Sequence, residues 1–127
     1  MTLIWGALLG FISVAFGAYA EHGLRPIITD EHFRFLMTAI RYNQVHAAVI
    51  VAIGLALGGG GTLSRLPILF WSGVLFVVGT VLFSFSIYVS VAFDIPALLN
   101  LTPLGGITLM FSWLLLLAAA VKARGLS

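Results

Sequence analysis

The chain has 127 residues, of which 61% are hydrophobic and only 8% charged. A soluble domain carries about 25% charged residues, so six Lys and Arg with four Asp and Glu are too few to clothe a globule of this size in water. The net charge of +2 comes without any basic run, which argues against nucleic acid as a partner. With no cysteine, disulfides, thiol catalysis and cysteine-held iron–sulfur clusters are excluded.

Four apolar stretches, residues 2–20, 42–57, 67–93 and 103–121, stand out against the roughly 20 residues a helix needs to cross a bilayer. They predict an all-α integral membrane protein, a bundle of four transmembrane helices forming one domain over residues 1–127. The first stretch ends in Ala18-Tyr19-Ala20, which fits a small-residue cleavage rule, but no Lys or Arg precedes it. It is therefore expected to be a retained span. Gly58 to Gly61 end the second span, since glycine loses most backbone entropy on ordering. Ser64 with Pro67 suits the start of the third span, and Thr102 with Pro103 the start of the fourth, Thr102 as N-cap.

Most of the ionic and histidine residues lie between Glu21 and Arg41. Thr29 or Asp30 is placed to cap a helix there, with Asp30 and Glu31 favourable against its dipole. Phe33, Leu36, Met37 and Ile40 recur at helical spacing, with Arg34, Thr38 and Arg41 on another face. This predicts an amphipathic helix in the first loop, lying on the membrane or extending the second span. A continuous helix over residues 30–57 would be roughly 42 Å long at 1.5 Å per residue, so its first turns must leave a hydrocarbon core about 30 Å thick. Lys and Arg give no clear orientation: Arg65, Lys122 and Arg124 on the side of the termini balance Arg25, Arg34 and Arg41 opposite. Acids accompany the arginines of the first loop, whereas no acid stands beside Lys122 and Arg124 in the sequence, which favours cytoplasmic termini.

Two groups of residues stand out as candidates. Gly6, Gly10, Ser13 and Gly17 form one stripe of small residues leading to Glu21, suited to close helix packing against another span or a second protomer. Glu21 and His22 close the first span, while Tyr42, Asn43, Gln44 and His46 open the second, so their side chains are expected to converge at one membrane depth. Tyr42 and His46 share a helix face. Polar groups in spans face the bundle and often mark function. The cluster is read as a hydrogen-bonded network pinning the first loop. The alternatives are a proton, ion or small-ligand relay, a metal site of Glu21, His22 and His46, or haem held by His22 and His46. Adjacent Glu21 and His22 point about 100° apart on a helix, which argues against a shared metal, and neither metal nor cofactor is expected. His32 is expected to be solvated. Ser84, Ser86, Tyr88 and Ser90 add hydroxyls to the third span, expected to bond back to a carbonyl or across to a neighbour. No Ser-His-Asp order, G-x-S-x-G, P-loop or H-E-x-x-H is present, and an enzyme is not expected.

Several segments resemble those of the YgdD family, small bacterial membrane proteins of unknown function related to animal transmembrane protein 256. Phe16-Gly17-Ala18-Tyr19-Ala20-Glu21-His22-Gly23-Leu24 resembles the family's GAFGAHGL signature. Tyr42-Asn43-Gln44-Val45-His46-Ala47 is similar to its Y-x-x-x-H-A element. Phe83-Ser84-Phe85-Ser86-Ile87-Tyr88 resembles its FSGSLY element, with Phe85 at a usual glycine. Leu101-Thr102-Pro103-Leu104-Gly105-Gly106, followed by Trp113, resembles ITPLGG…GW. The resemblance implies a four-helix fold in the bacterial cytoplasmic (inner) membrane and supplies no activity. It adds weight to His22, His46, Tyr88 and the Thr102–Gly106 segment. Gly105 and Gly106 are read as close-packing positions, with an anion spot at the exposed helix N-terminus as alternative. The expected function is that of a non-enzymatic accessory or interaction protein. Its partners are the lipid bilayer and a homo-oligomer or larger membrane complex. The second reading is a proton, ion or small-ligand carrier, and the third a haem or metal protein.

Overall fold

The structure is a computed structural model and describes residues 1–126, which form helices joined by short turns. Helix α1 (Thr2–Tyr19) runs on into a π-helical turn, Ala20–Leu24, and a 3-10 turn, Arg25–Ile27. Helix α2 spans Asp30–Gly58. The third span is helix α3 (Pro67–Thr80), a π-helical turn Val81–Phe85, and helix α4 (Ser86–Ala92). A 3-10 segment, Pro96–Leu101, then feeds helix α5 (Thr102–Leu126). Taken through these turns, four helical segments of 26, 29, 26 and 31 residues are long and apolar enough to cross a membrane. Their connections are short, so successive spans run antiparallel.

The chain-end chemistry explains where α2 begins and stops. Thr29 is extended and its hydroxyl accepts the His32 N–H at 3.1 Å, with Asp30 and Glu31 in the first turn. The amphipathic segment is therefore the start of α2 and not a separate helix. Leu36 and Ile40 are buried there, while Arg34 and Arg41 are exposed and His32 is half-buried. At the other end Gly60 has φ +75°, a left-handed conformation that glycine adopts without strain.

Two expected caps are used differently. Pro67 does open α3, but Ser64 lies in a preceding 3-10 turn and donates to the Gly61 carbonyl at 2.6 Å. Thr102 is already helical, at φ −59° and ψ −46°, because the Pro96–Leu101 segment runs straight into α5. Its hydroxyl instead meets the Ser86 hydroxyl at 2.7 Å, tying α5 to α4.

The small-residue stripe packs α1 onto α2. A Cβ at Gly6 would lie 2.8 Å from the Val51 backbone nitrogen, and one at Gly54 of α2 would lie 2.7 Å from the Leu3 backbone. Gly10 and Gly17 are looser, with Ala47 and Ile40 at 3.8 Å. Ser13 is buried in the same seam, its hydroxyl donating to the Gly10 carbonyl at 2.6 Å. α3 packs mainly on α5 and also on α2, whereas backbone contact between α2 and α5 is sparse. Leu9, Ile50, Leu69, Phe76 and Leu109 fill the half of the core near the termini. Ala20, Leu36, Ala39, Ile87 and Tyr88 fill the other half.

The closest approach is Gly105 of α5 against the π-turn, where an added Cβ would collide with the backbone of Phe83; at Gly106 the nearest atom is a Phe83 ring carbon at 3.9 Å. Gly105→Ala should therefore lower stability by about 1–3 kcal/mol, the range for overpacking. Gly106→Ala should be neutral or stabilising, by up to about 1 kcal/mol, as alanine favours the helix. Thermal melts of both variants in detergent check this; equal melting would refute the close-packing role of Gly105.

Candidate functional site

The candidate polar residues divide into two groups that do not meet. Glu21 and His22 sit on the π-turn that ends the first span and are exposed. Glu21 pairs with Arg25 at 2.7 Å across one turn, a solvent-side pair of small energetic weight. Tyr42, Asn43 and His46 lie on α2, and Gln44 faces outward. The expected convergence of all six side chains is thus not found. The π-turn carries Glu21 and His22 away from the α2 face that holds His46. Among the described residues, no three His, Asp or Glu side chains gather as a metal-binding group.

What forms instead is a polar and aromatic layer joining α2 to α4 and α5. The indole N–H of Trp113 donates to Nε2 of His46 at 3.1 Å, and Nδ1 of His46 lies 2.7 Å from the Tyr42 carbonyl oxygen. Indole nitrogen is a donor only. Nε2 must therefore accept, which puts the ring proton on Nδ1, where it is donated to Tyr42. Both ring nitrogens are engaged in one neutral tautomer, and neither is left to bind an iron or a zinc in this arrangement. The rings of Phe76 and Trp113 pack on the imidazole with centroids at 5.6 and 5.8 Å, and the Tyr42 ring stacks on Phe83 at 4.4 Å.

Three residues back on α2, Asn43 is fully buried and donates to the Tyr88 hydroxyl at 3.0 Å. The Tyr88 ring lies flat on Phe16 of α1 at 4.0 Å, so this single side chain ties α1, α2 and α4 together. Ser84 donates to the Ala39 carbonyl at 2.7 Å, and Ser86 to the Phe83 carbonyl at 2.9 Å. These serines bond across and back, as expected of hydroxyls in a span. Ser72 reaches the Ser112 carbonyl of α5 at 3.0 Å. Asn43 Oδ1 and Thr80 Oγ1 are buried without a hydrogen-bond partner among the described residues.

Trp113 and Phe83 belong to this layer although nothing in their local sequence assigns them to it. Trp113 stands 67 positions from its partner, and only its place in the family-like pattern singles it out. Between α2 and α5, bridged by the His46–Trp113 pair, runs a laterally open groove of about 550 Å³. Arg41, Tyr42 and Val45 line one side, Ile107, Met110 and Trp113 the other, with Phe83 among its further walls. Gly105 and Gly106, read as packing positions, sit at the start of α5 where Gly105 seats on the π-turn.

Four apolar spans with internally bonded polar side chains define an integral membrane protein. The chain belongs to the family described as protein of unknown function DUF423, whose pattern matches residues 16–106. It is 33% identical to the UPF0382 membrane protein YwdK of Bacillus subtilis, covering 94% of this chain and 95% of that one. It is also 33% identical to the UPF0382 inner membrane protein YgdD of Escherichia coli K12, over 96% and 90% of the two chains. A Staphylococcus aureus relative, the UPF0382 membrane protein SAB0533, is 32% identical over 97% of each chain. No solved structure matches significantly. The resemblance to the YgdD family is thereby confirmed, and the four apolar helices fit an inner-membrane location.

The network makes a paired prediction. In a double-mutant cycle, His46→Ala and Trp113→Phe should be coupled by about 0.6–1.7 kcal/mol, the range for hydrogen bonds within membranes. Thr80→Val, which removes a buried hydroxyl with no partner, should be neutral or stabilising. Tyr88→Phe, by contrast, strips Asn43 of its acceptor and should destabilise. Unfolding in mixed micelles measures the four single variants and the His46→Ala, Trp113→Phe double variant; additive His46 and Trp113 effects would break the pairing.

Proposed function

We propose that this protein is a non-enzymatic accessory protein of the inner membrane, a stable four-span body that works through contacts with other membrane components. The observation that carries this reading is the use made of the polar side chains within the spans. His46, Asn43, Tyr88, Ser84, Ser86, Ser72 and Trp113 bond to one another or to backbone carbonyls, and so fix helices instead of lining an open polar path. Polar groups in hydrocarbon that have found partners are glue, and the two buried atoms without one, Asn43 Oδ1 and Thr80 Oγ1, belong to an amide and a hydroxyl, neither suited to pass a proton as a relay group. The small-residue stripe is occupied by α2, so a partner would meet the broad outer faces of α1 and α5, where Phe11, Val14, Met110, Phe111 and Leu114 are exposed.

The carrier reading is the competitor, and one preparation decides between them. Purified protein in proteoliposomes should dissipate an imposed proton or cation gradient no faster than empty vesicles. A flux that disappears in His46→Ala would replace the accessory reading with a carrier. In native membranes, a photoreactive residue at position 114 should give one reproducible protein adduct. Adducts to lipid alone would remove the support for a protein partner.

A further inference from the structure

We propose that the groove between α2 and α5 is a binding site for a single anionic phospholipid, with its phosphate on Arg41 and one acyl chain laid along α5 toward Trp113. Three observations meet there. The first is shape: the groove of about 550 Å³ is open sideways, where lipid lies, and its walls are nearly all carbon and ring surface. It lies where α2 and α5 are bridged by long side chains, the His46–Trp113 pair, and have little backbone contact.

The second is charge. At this end of the bundle the other two arginines are already committed. Arg25 pairs with Glu21 at 2.7 Å and lies over the Phe33 ring at 4.8 Å. Arg34 lies over the Phe35 ring at 5.9 Å. Arg41 is exposed, lines the groove, and has no ion pair or ring partner among the described residues. It stands where the amphipathic start of α2 gives way to the apolar span, about 7.5 Å of helix before His46, and its long side chain can extend from there toward the headgroups. An uncommitted cation at that depth is matched by the phosphate of an anionic lipid.

The third is length. Along α5 the groove runs from Pro103 to Trp113, roughly 15 Å at 1.5 Å per residue. That is half of a hydrocarbon core about 30 Å thick, the depth of one leaflet and so the reach of one acyl chain. The internal end is bridged by the imidazole and indole, whose polar atoms are turned to each other.

The test uses the full-length protein in nanodiscs containing dioleoyl phosphatidylglycerol and dioleoyl phosphatidylcholine in equal amounts, with the retained lipid read by native mass spectrometry. Phosphatidylglycerol should be retained about fivefold over phosphatidylcholine, the factor that about 1 kcal/mol per surface arginine converts to. Arg41→Gln should bring the ratio to about one, and Arg41→Lys should restore it. Gly106→Leu, which fills the groove without touching Arg41, should reduce retention of both lipids. An unchanged ratio in Arg41→Gln overturns the proposal. A second measurement needs no variant: phosphatidylglycerol bearing a diazirine at the end of its acyl chain should label wild-type protein at Met110 or Trp113. Labelling spread over α1, or absent from α5, overturns it equally.

Discussion

The seat of Gly105 on the backbone of Phe83 is the contact on which the rest of the bundle depends. With no side chain between them, the start of α5 is pressed against the π-turn of the third span, and the axis of α5 is fixed from that point. Trp113, two turns further on, then reaches His46. Thr102, three residues before, meets Ser86. A bulkier residue at this one position would tilt α5 away and separate both pairs. Small residues can do this in lipid because helix association there rests on close van der Waals contact, with no hydrophobic gain to substitute for it.

A second constraint shapes the polar residues. Inside a bilayer no water is at hand to bond a stray hydroxyl or amide, so each must find a partner in the protein. The four spans hold several such groups: Asn43, Ser72, Ser84, Ser86 and Trp113 link one helix to another, while Ser13, Thr108 and Ser112 bond back to their own. His46 shows the economy of the arrangement. Its imidazole bridges a backbone carbonyl of its own helix and an indole of another, and three aromatic rings shield it. The DUF423 relatives are membrane proteins of nearly the same length, which fits a fold whose whole chain lies in or at the membrane.

The spans and their ends were largely legible in the sequence, because length, apolarity and punctuation by Gly58–Gly61 and Pro67 are local properties. So was the stripe from Gly6 to Gly17, since helical spacing alone puts those residues on one face. Thr29 capped as its position implies. What escaped was set by tertiary geometry. Thr102 looks like a cap only if the preceding residues are irregular, and they form a 3-10 helix instead. Glu21 and His22 looked like neighbours of His46 because they close the first span where His46 opens the second, yet on the π-turn both are exposed. Trp113 could not be paired with His46 by any periodicity, as the two meet only when the second and fourth spans are set side by side. The groove, being a gap between side chains, has no sequence signature at all.

The π-turn within the third span has an angular consequence. An α-helix advances about 100° per residue, so the twelve positions from Phe76 to Tyr88 would leave those two side chains about 120° apart around an unbroken helix. One residue taken up by the wider turn removes about 100° of that drift. Phe76 and Tyr88 consequently face the same way, toward His46 and Asn43, which themselves share a face of α2. The third span thus behaves as two short helices brought into phase, able to address one neighbour along its whole length without supercoiling around it.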